Sequence, residues 1–318
     1  MIFNYKIKRV FLGTVFLALT TYLGYSFVTN CKHEGNWSPR ANLIIDQDGK
    51  PKACLLDLLK STGIEHDETL GDIVKQTQAN WIRKPGQERW DLASDQIPTE
   101  LMEIFDKCGC IGDVGPVACE YDYVLVMGAL ASRMRTRLGY ALELCKTIKC
   151  KKLVLLTGQR PRNVQLETEK DILGVGLDHD QLVKKSDFKW DGILPQTESG
   201  IMQLLYEQAD VSADFKQQVQ VVLVDAPMKL NAAGDLVRPT TGDTVDLWLA
   251  QNPTPGRCLV ISNNPYIGYQ DSVTRGLLPT SFKIETVGHQ DGDDVKLAIY
   301  LDNMARWLYQ EQQNRKQK

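Results

Sequence analysis

The stretch from Tyr121 to Leu144 most constrains what this chain can fold into. Tyr123 to Met127 is a short apolar run rich in valine and leucine, which predicts a strand buried on both faces. Gly128 to Ser132 is small and flexible, as a tight strand-to-helix turn requires. Beyond this turn, apolar residues recur at helical spacing. The stretch therefore predicts a strand, a turn and a helix in succession.

Three arginines, Arg133, Arg135 and Arg137, crowd the first turns of this predicted helix. Positive side chains usually lie late in a helix, because its N-terminus already carries partial positive charge. The pattern therefore predicts an anion, most simply a phosphate, held against the helix start. The alternatives are a solvated basic face and arginines paired with acidic neighbours.

Composition limits the functional class. The chain has 318 residues, of which 43% are hydrophobic and 24% charged, enough for one large core or two modest ones. Its net charge of -3, without a basic stripe interleaved with aromatics, argues against a nucleic-acid binder. We therefore expect no nucleic-acid partner.

The first residues predict a membrane anchor. Val10 to Val28 contains no charged residue, and Lys6, Lys8 and Arg9 precede it. This length and charge distribution predict one membrane helix with its N-terminus in the cytoplasm. A cleaved signal peptide would have a shorter apolar region and small residues at its exit. We therefore predict that residues 1–31 are an uncleaved, single-pass anchor. The bulk of the protein would lie on the periplasmic or extracytoplasmic side.

Eight cysteines follow the apolar segment. Their even number permits disulfides in an oxidising compartment, but Cys145 lies on an apolar helical stripe and Cys258 in a predicted core strand. Free cysteine in such places behaves as a small hydrophobe. Cys108, Cys110 and Cys119 do not have the spacing of a zinc site. We predict structural cysteines and no metal, and the sequence indicates no particular cofactor.

Alternating strand and helix patterns predict the architecture. Residues 32–120 form a tether and a small helical segment, in which Trp81 and Trp90 either pin a helical hairpin to the core or stack on a ligand or membrane interface. Residues 121–318 form a three-layer α/β domain with a mostly parallel sheet and an insertion near 162–190. Its strands are predicted at residues 123–127, 152–157, 220–224, 258–261 and 282–287.

Ligands of open parallel sheets bind beyond the carboxyl ends of the strands. The residues at these ends are Gly128, Thr157, Gly158, Gln159, Arg160, Asp225, Ser262, Asn263 and Asn264. They supply glycine, hydroxyl, amide, arginine and carboxylate groups. Glu198 opens the helix that follows the second strand, and either Glu198 or Asp225 could act as general base or hold a divalent ion beside a phosphate. Their structural alternatives are a helix-start charge and a carboxylate bonded to loop backbone.

The order of these motifs resembles the SanA/YdcF/ElyC-like family of bacterial proteins. The matching segments are VLVMG with the arginine-headed helix, LVLLTGQ, TESGIM, PTTGDTVD and CLVISNNPYIGYQ. The resemblance covers about residues 121 to 290. It implies a Rossmann-like domain of poorly defined function and adds Thr241 and Tyr266 to the predicted site. The family's last loop carries a histidine followed by an arginine, whereas Tyr266 and then Tyr269 or Gln270 stand near those places here.

Three hypotheses follow for the function. The first is an anchored enzyme acting on a small phosphorylated, nucleotide-like or polyprenyl-linked envelope substrate. In it, Arg133 and Arg137 hold the anion, Gly128 and Gly158 allow backbone N–H groups to approach, Thr157, Gln159 and Asn263 orient the ligand, and Glu198 moves a proton. The second is a non-catalytic envelope protein that binds the same ligand. The third is an interaction protein that uses the Trp81–Trp90 surface.

Overall fold

The computed structural model describes residues 38–84, 86–87, 91–93, 95–177, 180–290 and 296–317. The predicted membrane helix, Val10 to Val28, lies outside these residues, as does Trp90. Within the described ranges, none of the helices has the length and apolar character needed to cross a membrane.

A five-stranded sheet forms the centre of the α/β domain, as the alternating pattern predicted. Its strands are β1 (Glu120–Met127), β2 (Lys149–Gly158), β3 (Gln220–Ala226), β6 (Arg257–Asn264) and β7 (Lys283–Gln290). Their order is β3-β2-β1-β6-β7, and all four pairings are parallel. A separate two-stranded hairpin, β4 (Lys229–Leu230) and β5 (Leu236–Val237), follows β3. The order reverses between β1 and β6, which is where a doubly wound sheet opens a crevice.

Helices cover both faces of the sheet. In chain order they are α1 (Ala53–Ser61), α2 (Leu70–Asn80), α3 (Thr99–Lys107), α4 (Ala131–Leu144), α5 (Glu169–Leu173), α6 (Glu198–Gln208), α7 (Ala213–Gln218), α8 (Thr241–Leu249), α9 (Ile267–Leu277) and α10 (Leu297–Lys316). Along β1, Val124 and Val126 belong to the core beneath α4 and α6, whereas Tyr123 and Leu125 belong to the core on the face of α8. This alternation explains why β1 reads as a continuous apolar run.

The N-terminal helical segment packs on α10 through its own apolar core. Ile44, Leu55 and Phe105 are buried with Trp307 and Leu308 of α10. Trp81 is buried in this cluster as well, which favours packing over ligand stacking for that side chain. The loop that follows this segment reaches the carboxyl ends of the strands, where the N–H of Gly112 donates to Oε1 of Gln290, the last residue of β7, at 2.8 Å.

The insertion near 162–190 is fastened to α4 and α6. Arg135 donates hydrogen bonds to Asp180 at 2.9 Å and to the carbonyl oxygen of Ile172 at 3.0 Å, and its guanidinium also contacts Gln208. Arg135 is buried. Of the three interpretations of the arginine-headed helix, pairing with an acidic neighbour therefore holds for Arg135.

Candidate functional site

A cleft of about 550 Å³ opens at the carboxyl ends of the strands, where the strand order reverses. Its floor is the turn after β1, including Gly128, and one wall carries Tyr266 and Tyr269 around the start of α9. Gly158 at the end of β2 and Thr241 at the start of α8 also line it. The loops and helix starts that follow β1, β2 and β6 thus meet at this cleft, as expected for a doubly wound sheet.

A larger groove of about 790 Å³ lies at the opposite end, beside the amino ends of β6 and β7. Arg257 and Glu285 line it. The carboxylate of Glu285 accepts hydrogen bonds of 2.6 Å from the hydroxyl of Tyr121 and the backbone N–H of Val117, so its role there is structural. Ligands of parallel sheets bind at the carboxyl ends, and the smaller cleft is therefore the candidate site.

Positive charge dominates the lining of the cleft. Its charged lining residues are six arginines and one glutamate, namely Arg83, Arg133, Arg137, Arg160, Arg238, Arg306 and Glu198. Some of this charge is offset by acidic side chains behind the wall: Asp302 pairs with Arg306 at 2.9 Å and accepts the backbone N–H of Arg83 at 3.2 Å. The excess of guanidinium groups favours an anion over a cation or a neutral molecule.

Glu198 and Arg160 form a partly buried pair in the floor of the cleft. Thr197 caps α6 by accepting the backbone N–H of Gly200 at 3.2 Å, which places Glu198 in the first turn. Nε of Arg160 donates to Oε2 of Glu198 at 2.8 Å. The glutamate carboxylate lies against Gly128, where a Cβ atom would overlap Oε1 and lie 3.0 Å from Cδ. Gly128 is therefore required to make room for Glu198.

Glu167, which no sequence pattern predicted, is the fixed anion beside this pair. Its fully buried carboxylate accepts the backbone N–H of Ala131, at the start of α4, at 3.0 Å. It also accepts hydrogen bonds of 2.8 and 2.9 Å from Arg160. A protein carboxylate thus occupies the anion position predicted for the first turn of α4. An external ligand must bind elsewhere along the cleft.

Arg137 serves as a structural clamp. Its guanidinium donates to Oδ1 of Asn263 at 2.9 and 2.7 Å and to the carbonyl oxygens of Met127 and Gly128 at 3.0 and 2.9 Å. Arg137 and Asn263 are both buried. These bonds tie the end of β6 to the turn after β1, so this pair supports the floor of the cleft.

Arg133 lies further out, with its guanidinium carbon 5.2 Å from the centre of the Tyr266 ring. This distance is that of a cation–π contact, which holds the guanidinium against a rigid aromatic wall. Arg133 is partly exposed and lines the cleft. Of the two arginines expected to hold the anion, Arg133 is the one whose position suits a direct contact with a ligand.

Several predicted residues lie at the sheet edge without lining the cleft. Gln159 and Asp225 are exposed and contact each other at 3.3 Å. Thr157 is buried and donates to the carbonyl oxygen of Val224 at 2.9 Å, while Asn264 is buried and donates to that of Gly112 at 2.7 Å. Ser262 is also buried. These five residues lie in structural positions outside the cleft lining. Asp225 is therefore apart from Glu198, which does line the cleft.

Burial raises the pKa of the Glu198 carboxyl above its ordinary value, and Arg160 opposes this effect. A carboxyl group with a raised pKa at the edge of a cleft is a candidate proton carrier. Within the described residues, no cluster of three or more histidine, cysteine or acidic side chains could hold a metal ion. The charged groups that line the cleft are thus guanidinium groups, which can pair with an anion, and the carboxyl group of Glu198.

Comparison of the chain with protein-family models, curated proteins and solved structures finds no match. The α/β fold is therefore assigned from the structure alone, and the function is inferred from the geometry of the cleft. The resemblance to the SanA/YdcF/ElyC-like family rests on the order of the sequence motifs.

Proposed function

We propose that this protein binds a small phosphorylated or nucleotide-like ligand in the arginine-lined cleft. The observation that supports this most is the set of six arginines around a cleft at the switch point of a parallel sheet. Guanidinium groups bind phosphate oxygens through paired N–H donors, whereas phosphate dianions are poorly bound in apolar clefts. In this proposal Arg133 contacts the phosphate, and Arg137 supports the floor through Asn263.

The setting that we propose is the cell envelope. A helix at Val10 to Val28 would anchor the chain in the membrane, with the α/β domain outside the cytoplasm. Turnover of the ligand would use Glu198 as the proton carrier. The apolar part of the cleft, with Leu130, Leu156 and Tyr269, would accept the non-phosphate part of the ligand.

A second candidate is a non-catalytic protein that binds the same ligand. Two observations favour it. Glu198 is already engaged by Arg160 at 2.8 Å, and none of the described residues lining the cleft is a histidine. Tyr266 stands near the place of the family's histidine, and histidine is the usual proton carrier at neutral pH.

A thermal-shift experiment on the full chain in detergent tests the binding proposal. The probes are inorganic phosphate, pyrophosphate, ADP and glucose 6-phosphate, with glucose as the uncharged control. A ligand at one hundred times its Kd stabilises the folded state by about 2.7 kcal/mol, which at about 2 °C per kcal/mol raises Tm by about 5 °C. A rise with at least one phosphorylated probe and none with glucose supports the proposal. Equal behaviour of all probes at millimolar concentration would refute it.

The Glu198→Gln variant separates the two candidates. Glutamine keeps the length of the side chain and an acceptor for Arg160, but it cannot carry the proton. With a phosphorylated probe that binds, an enzyme loses product release in this variant while its affinity changes by only a few-fold. A binding protein releases no product in either form.

A further inference from the structure

Two cysteine side chains face each other at the end of the sheet opposite the cleft. Cys145 follows the last residue of α4 and Cys150 is the second residue of β2, and their Sγ atoms lie 3.4 Å apart. A disulfide bond is about 2.05 Å long, so bond formation requires the sulfurs to approach by about 1.4 Å. An approach of this size is of the order that rotation of the two side chains provides.

The backbone on both sides of the pair is held in place. The N–H of Cys145 donates to the carbonyl oxygen of Ala141 at 3.0 Å, as the last helical bond of α4. The N–H of Ile148 donates to the carbonyl oxygen of Leu144 at 2.9 Å, and Cys150 pairs in register with Tyr121 of β1. The two thiols are thus brought together by a fixed turn between a helix and a strand.

We propose that Cys145 and Cys150 form a modification site, at which a disulfide oxidant closes an intramolecular disulfide bond. Both residues are partly exposed, so an oxidant in solution can reach them. Of the other described cysteines, Cys54, Cys108, Cys110 and Cys258 are buried, and Cys119 is partly exposed like the pair. Because the Sγ atoms of Cys145 and Cys150 lie 3.4 Å apart, oxidation joins these two residues, and with them the end of α4 and the start of β2.

The two sulfurs have different roles in the reaction. The hydrogen bond between the thiols lowers the pKa of Cys150 and raises that of Cys145. The Cys150 thiolate attacks one sulfur of the oxidant R–S–S–R, which forms Cys150–S–S–R and releases RS⁻. Cys145 then gives its proton to RS⁻, attacks Sγ of Cys150 and expels the second RS⁻, which takes up the proton lost from Cys150. Two protein thiols are oxidised and one oxidant disulfide is reduced to two thiols.

Peptide mapping of the full chain tests this assignment. Reduced protein is treated with oxidised glutathione, alkylated with N-ethylmaleimide and digested with trypsin without reduction. Trypsin cleaves after Arg137, Lys146, Lys149 and Lys151, so the bond links peptide 138–146 to peptide 150–151. We expect this linked species in oxidised protein and its loss after reduction. Recovery of both cysteines in alkylated form would overturn the proposal.

Single variants test the order of the steps. In Cys145→Ser, the first attack proceeds but the second cannot, so glutathione remains attached to Cys150. The matched control is Cys119→Ser, which removes another partly exposed thiol. Cys119 lies close to the pair, because its backbone carbonyl oxygen accepts the N–H of Lys149 at 2.8 Å. This variant keeps the 138–146 to 150–151 link. A link from Cys150 to Cys119 in the wild-type protein would contradict the assignment, and this result needs no variant to fold.

Discussion

Replacement of Gly128 by alanine tests the packing of the candidate site. The added Cβ would overlap Oε1 of Glu198 and would lie 3.0 Å from the carbonyl oxygen of Leu156. The Leu156 carbonyl belongs to β2 and accepts the N–H of Gly128 at 2.8 Å, so it cannot move away freely. The carboxylate of Glu198 must therefore shift, and its 2.8 Å bond with Arg160 is lost or lengthened.

The expected loss of stability follows from these contacts. A hydrogen bond to a charged group contributes about 1.5–3 kcal/mol, and strain that the shift leaves unrelieved adds to the loss. Alanine also restricts the unfolded chain, which offsets about 0.4–1 kcal/mol. We expect the free energy of unfolding to fall by about 1–2 kcal/mol, and Tm by about 2–4 °C.

Urea denaturation of both proteins measures this difference. Gly242→Ala is the matched control, because Gly242 also lines the cleft but its Cβ would meet only ordinary contacts, 3.5 Å from Oγ1 of Thr240 and 3.7 Å from Cδ2 of Leu277. Alanine in the first turn of α8 stabilises by about 0.5–1 kcal/mol. If Gly128→Ala is as stable as the wild type, the carboxylate of Glu198 does not lie against Gly128 and the described site is wrong.

The remaining predictions concern buried polar groups and one helix cap. Asn263→Ala removes the acceptor of two Arg137 hydrogen bonds and should lower the free energy of unfolding, measured in urea, by about 2–4 kcal/mol. The control, Ser262→Ala, deletes a buried hydroxyl that has no hydrogen-bond partner among the described residues. This control should leave the free energy of unfolding unchanged or raise it by about 1 kcal/mol. Equal losses in both variants would contradict the clamp. Burial raises the pKa of Asp243, but hydrogen bonds from Lys229 and from Thr240, the N-cap of α8, together outweigh it and lower the pKa to about 2. A lowered pKa means that the ionised form stabilises the fold above the ordinary value of 3.8, and that this contribution disappears as the pH falls toward 2. Thermal denaturation of Asp243→Asn should therefore show a loss of stability of about 0.5–1 kcal/mol at pH 7, and this loss should shrink below pH 4. A loss of stability that is independent of pH would refute the role of the ionised carboxylate.

The strands and several helix starts could be predicted because their signals are local. Strands buried on both faces read as continuous apolar runs, and β1 is the clearest case. Thr197 and Thr240 precede α6 and α8, and both caps accept the backbone N–H groups that the sequence pattern implies. The position of Glu198 at the cleft could also be predicted, because this residue opens a helix that follows a parallel strand.

The cleft itself could be predicted only in part, because distant segments complete it. Arg83 follows α2, and Arg306 lies in α10, far from the strand ends in sequence. Glu167 lies in the insertion, where the sequence carries weak periodicity and nothing indicates which acidic residue reaches α4. The role of Arg137 depends on Asn263, 126 residues away. Such pairings are set by tertiary packing, and no local pattern encodes them.

Pyrophosphate binding measured by isothermal titration calorimetry tests the central claim most directly. The full chain is compared with Arg133→Gln in the cleft and with Arg257→Gln in the groove at the opposite end of the sheet. Loss of one charge-assisted contact of about 1.5 kcal/mol predicts a Kd about tenfold higher for Arg133→Gln, and an unchanged Kd for Arg257→Gln. Equal effects of the two substitutions, or no binding by the wild type, would contradict an anion site at the carboxyl ends of the strands.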